Sequence, residues 1–226
     1  MQRRDFSALA AFTVLAGTGA AARADGLSNA DAASGIRAAL ERGASAAVEL
    51  LGRPDGFLGN PKVRIELPGF LKDAAKLLKF TGQQKRVDEL VTAMNRAAEA
   101  AVPEARALLV SAVKSMSLGD ARGIVAGGQD SVTRFFASKT RTPLGERFLP
   151  IVKRETAKVD LAARFNAVAG QAAGMGLVKG DDANIERYVT GKALDGLYAM
   201  IGEEEKKIRS DPLGTGSAIL AKVFGR

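Results

Sequence analysis

Ser111 and Lys114 stand three residues apart in Ser111-Ala112-Val113-Lys114. At that spacing one helical turn can bring an amine beside a hydroxyl and make the hydroxyl a nucleophile. Enzymes built this way carry Ser-Asp-Asn and Lys-Thr-Gly segments further on. Neither follows here, and Lys139-Thr140-Arg141 fails at the glycine. One such pair is also what 11 serines and 14 lysines in 226 residues yield by chance. A hydrolase using Ser111 and Lys114, or using carboxylates, is therefore the alternative function and not the leading one.

A second cluster lies in Met94-Asn95-Arg96-Ala97-Ala98-Glu99-Ala100-Ala101. Asn95 and Glu99 are one turn apart and share a helix face, and Arg96 can reach Glu99 or Glu104. The alanines let a neighbouring helix approach closely. Two roles follow for Asn95, Arg96 and Glu99: a buried, paired network that fixes which helices pack together, or contact with a ligand.

The remaining polar motifs read more simply. Glu203 precedes Lys207 by four residues and Glu205 precedes Arg209 by four, the favourable order for ion pairs on a solvated helix face. Asp181-Asp182 lacks the further oxygen ligands of a calcium loop and suits helix capping. Gly127-Gly128 and the stretch 170–180 lack the spacing that cradles phosphates. The chain has no His and no Cys. Disulfides, thiolate nucleophiles and the commonest general base and metal ligand at neutral pH are thereby excluded. No catalytic residue, metal site or cofactor is expected.

The elements that must position these residues are helical nearly everywhere. Ile36, Leu40, Ala47, Val48 and Leu51 share one face of a helix capped by Ser28 and ended at Gly52. Further helices are expected over 70–80, 83–101 and 103–116, the last opened by Pro103. Ser117-Leu118-Gly119-Asp120 resembles a capping box ahead of a short helix stopped at Gly127-Gly128. A short helix carries Phe135 and Phe136. Thr142-Pro143 then reads as a new start, with a bend at Pro150. Asp182 caps a long helix ending near Arg209, and Ile219, Leu220, Val223 and Phe224 belong to a terminal helix. Only residues 62–68 depart, where Val63, Ile65 and Leu67 alternate with Lys62, Arg64 and Glu66 between turn signals. The fold class is all-α, a single-domain multi-helix bundle with one short extended segment or hairpin at 62–68.

The amino terminus has a charged head, an Ala- and Leu-rich middle too short for a membrane span, and a small-residue exit at Ala22-Arg23-Ala24. It reads as a signal peptide over 1–24, cut after Ala24, and Arg3-Arg4 with Phe6 resembles a twin-arginine signal. Residues 25–226 then form one periplasmic helical domain with no transmembrane segment. The formal net charge is +8; Arg3, Arg4 and Arg23 against Asp5 account for +2, leaving +6 for the mature chain. Its Lys and Arg are interleaved with Asp and Glu, Trp is absent, and Tyr occurs only at 188 and 198. No basic block or stacking platform invites nucleic acid, so no nucleic-acid partner is expected.

Several segments together resemble the bacterial family called domain of unknown function 4197. They are Leu51-Gly52-Arg53-Pro54-Asp55-Gly56-Phe57, residues 63–68, Met94–Ala101, Asp120-Ala121 with Phe135-Phe136, and Ala193-Leu194-Asp195-Gly196-Leu197 with residues 203–208. The resemblance implies an exported or envelope-associated helical protein without an assigned activity, and it supplies no catalytic residue. The expected function is non-enzymatic binding in the periplasm, to an envelope protein or to an apolar ligand such as a lipid held between helices.

Overall fold

A computed structural model describes residues 29–69, 82, 84–128, 130–159, 162–163, 165–166 and 184–211. The expected signal peptide, the helices over 70–80 and 219–224, the Ser28 cap, the stretch 170–180 and Asp181-Asp182 lie outside the described residues.

Among the described residues the α-helices whose bounds are defined are, in order, α1 (Asn29–Gly52), α2 (Gln84–Ala101), α3 (Ala105–Lys114), α4 (Leu118–Ala126), α5 (Ser131–Thr156) and α6 (Ile185–Ser210). A 3-10 turn, Val102–Glu104, joins α2 to α3. The expected helix over 103–116 is thus a proline-bearing turn followed by α3. Every described helix contributes to one hydrophobic core, an all-α bundle. α5 packs against α6 and α2, and α1 lies across α6 and α3. No described helix is long and apolar enough to cross a membrane.

The capping box before α4 is present as expected: Ser117 Oγ accepts from the Asp120 amide at 3.0 Å, and the Ser117 amide donates to Asp120 Oδ2 at 2.9 Å. Two other helix starts differ from expectation. α6 is capped by Asn184, whose Oδ1 accepts from the Arg187 amide at 2.9 Å. Thr142-Pro143 begins nothing, because α5 runs unbroken through Pro143 and Pro150. The reason is visible in its packing. Val132, Phe136, Thr140, Leu144, Phe148, Val152 and Thr156, every fourth residue, are all buried. A period of four on a helix of about 3.6 residues per turn winds the buried stripe around the axis by about 40° per step. α5 therefore meets different neighbours along its length, and the burial of two Phe rings and two Val side chains on that stripe outweighs two lost backbone hydrogen bonds. Pro143 is half-buried and Pro150 exposed.

Of residues 62–68, 62 and 63 belong to a turn in which Asn60 O accepts from the Val63 and Arg64 amides at 3.2 and 2.9 Å, and 64–68 form neither helix nor strand; Val63, Ile65 and Leu67 are buried and Lys62, Arg64 and Glu66 exposed. They have no partner strand among the described residues. A side chain of α2 takes that place.

Candidate functional site

Asn95, Arg96 and Glu99 project from α2 onto residues 55–65, the chain that follows α1. Asn95 is fully buried. Its Oδ1 accepts from the Ile65 amide at 2.8 Å, and its Nδ2 donates to Ile65 O at 2.9 Å and to Val91 O at 2.8 Å. One carboxamide therefore pairs with Ile65 as a neighbouring strand would, which is why alternating burial arises here without a sheet. Tyr188 on α6 adds a hydrogen bond from its hydroxyl to Glu66 O at 2.9 Å.

Glu99 is buried as well. Its Oε1 accepts from the Phe57 and Leu58 amides at 3.0 and 3.1 Å, and its Oε2 accepts from Arg96 Nη1 at 2.6 Å. Arg96 Nη2 continues to Asp55 Oδ1 at 2.8 Å. The Glu99 hydrogen bond, chief among several contacts, pushes the already basic guanidinium of Arg96 further up. Asp55 sits at φ 64, in the left-handed region, and that turn presents its carboxylate to Arg96. The sequence placed Asn95, Arg96 and Glu99 on one helix; the structure adds that their partners are a loop and not a facing helix.

The loop is seated just as closely. A Cβ on Gly56 would lie 2.5 Å from Leu51 O, and one on Gly196 would lie 2.7 Å from the Phe57 ring. Phe57, fully buried, thus rests directly on the backbone of α6. Four of the segments that carry the family resemblance, around Asp55-Gly56-Phe57, Ile65, Asn95–Glu99 and Gly196, converge at this one place.

Arg96 is half-buried and also forms part of the wall of a surface groove of about 820 Å³. Lys85, Asp88, Glu89 and Thr92 of α2 line one side; Glu155 and Lys158, at and just past the end of α5, line the other. Lys158 Nζ donates to Glu155 Oε2 at 2.5 Å, and this bond chiefly holds the Glu155 carboxyl below the usual carboxylate range. Both signs of charge therefore face the groove.

Ser111 and Lys114 are both exposed on α3, and no hydrogen bond joins their side chains among the described residues. The acidic run on α6 is divided differently from its expected pairing. Glu203 takes Lys62 at 2.6 Å and Lys206 at 3.0 Å, which hold its carboxyl down to about 2. Lys207 pairs with Glu204 at 2.6 Å in place of Glu203. Glu205 does pair with Arg209, but inside the protein and not on a solvated face. Spacing alone could not separate these cases, although Glu205 shares a helix face with Ile201 and Ile208, and that neighbourhood points inward.

No curated protein and no solved structure matches the chain. The family model described as protein of unknown function (DUF4197) matches residues 26–225, and the chain belongs to that family.

Proposed function

We propose that the protein is a non-enzymatic periplasmic binding protein whose partner is a polar, mixed-charge segment of another envelope protein, held in the groove beside Arg96. The observation that carries this reading is the groove itself: about 820 Å³, open to solvent, with both Lys and Glu side chains on its walls. Arg96 is pre-oriented there by Glu99 and Asp55, so an incoming carboxylate meets a guanidinium already held in place.

Two further observations favour a protein partner over a lipid carried between helices. The apolar cavity among α1, α4, α5 and α6 amounts to about 20 Å³, room for roughly one water molecule. Leu118 is the one large hydrophobic side chain exposed among the described residues, so these residues offer no apolar patch to a membrane or an acyl chain.

The test is capture from envelope extract by a purified wild-type chain and by a Lys85→Glu/Lys158→Glu double variant. A partner held in the groove is retained by the wild type and lost from the double variant at unchanged thermal stability. Equal retention by both would place the binding surface elsewhere.

A further inference from the structure

The positive charge of the chain is not spread evenly over its helices. α5 carries six Lys and Arg against two Glu, a net +4 and half of the +8 of the whole chain. The two helices that pack most closely on it are balanced, α2 with three charges of each sign and α6 with five of each. Part of the charge of α5 is answered nearby: Arg134 pairs with Asp130, Arg141 with Asp195, and Arg154 with Glu155. Arg147 and Lys153 make no ion pair and no side-chain hydrogen bond among the described residues. Lys139 feels only the field of Asp120, whose carboxylate is already engaged by Ser117.

These cations share one side of the helix. At 3.6 residues per turn, Lys139, Arg147, Lys153 and Arg154 fall within about 120° of arc, and a rise of about 1.5 Å per residue spreads them over about 22 Å. All four are exposed, as are Pro150 and Ala157 on the same arc, and Glu146 is the one acid there. Lys153 and Arg154 suit the last turn of α5, where the helix dipole favours cations. Lys139 and Arg147 lie more than two turns short of that end, so the dipole does not account for them. No large hydrophobic side chain is exposed on the arc, and Phe135, Phe136 and Phe148 of α5 are all buried. A protein partner is held chiefly by aromatic or apolar anchors seated in fitted pockets, and this face presents none. A layer of anionic headgroups asks only for basic side chains spaced along an open surface.

We propose that the outer face of α5, marked by Lys139, Arg147, Lys153 and Arg154, docks on an anionic phospholipid surface by charge alone, without insertion. None of these four residues lines the groove beside Arg96, so the two contacts are separable by mutation.

Co-sedimentation of the full chain with vesicles tests this at about 0.01 M and about 1 M salt, between which the screening length falls from roughly 30 to 3 Å. Vesicles of phosphatidylglycerol mixed with phosphatidylcholine are compared with pure phosphatidylcholine, which reports any adsorption that charge does not drive. The mixed vesicles are expected to bind the chain several-fold better at low salt and to lose that preference at high salt. Arg147→Glu/Lys153→Glu is expected to weaken the partitioning at least about tenfold. Lys114→Glu/Arg122→Glu, an equal change in net charge on α3 and α4, is expected to keep most of it. Should the first variant not fold, Arg147→Gln/Lys153→Gln replaces it, with a loss of at least about fivefold expected. No preference for the anionic vesicles, or equal losses from the α5 pair and the α3/α4 pair, overturns the proposal. Tighter binding of polyglutamate than of the mixed vesicles at matched charge concentration also overturns it, by making an acidic protein segment the occupant.

Discussion

Glu99 accepts from the buried Phe57 amide, the part-buried Leu58 amide and the Arg96 guanidinium, so its truncation leaves two amides without their partner and Arg96 with Asp55 alone. Glu99→Ala is expected to lower stability by about 2–4 kcal/mol in urea titration, with the loop 53–60 losing protection first. Asn95→Leu keeps the volume and strands both backbone groups of Ile65; a loss of about 2–3 kcal/mol is expected by the same measurement. Gly196→Ala drives a methyl into the Phe57 ring 2.7 Å away and is expected to cost about 1–3 kcal/mol. That Asn95 and Glu99 are structural partners of something was legible from their shared helix face amid alanines. That the something is the backbone of residues 57, 58 and 65 was not, because a carboxylate accepting from a loop leaves no periodic trace in the loop. The inward setting of Glu205 was legible in principle from Ile201 and Ile208 on its face, yet the neighbouring Glu203 and Glu204 mask it with the charge of a solvated run.

Among the elements, α4 depends most on its cap. Ser117→Ala is expected to destabilise by about 1 kcal/mol, read as increased exchange in residues 118–126. The Asp120 carboxyl is held below its ordinary 3.8, chiefly by the Ser117 amide. Its depressed folded value means that its contribution is full above 3.8 and is lost as pH falls through the folded value. The Ser117–Asp120 box was readable because capping is a local matter of three residues. The start of α5 was misread for the converse reason: Thr142-Pro143 has the local form of a helix start, and only tertiary burial of Phe136, Thr140, Leu144, Phe148 and Val152 keeps the helix continuous. A four-residue spacing gives no single face at 3.6 residues per turn, so amphipathicity across α5 is smeared out and the sequence splits it at the proline.

At the scale of the whole molecule, the proposed reading rests on charge, because Leu118 is the one large hydrophobic side chain exposed among the described residues. The all-α class followed from hydrophobic spacing, while the groove did not, since it arises where α2 and the end of α5, more than 50 residues apart in sequence, are brought together. Binding there should weaken with salt, because the groove is open and its charges are screened over about 8 Å at physiological ionic strength. A photo-crosslinking residue placed at Thr92, exposed on the wall of the groove, probes the reading most directly. In cells, the groove should give one discrete adduct from position 92, abolished by Lys85→Glu/Lys158→Glu, and none from position 111 on the exposed face of α3. No adduct at 92, or the same adduct from both positions, would contradict it.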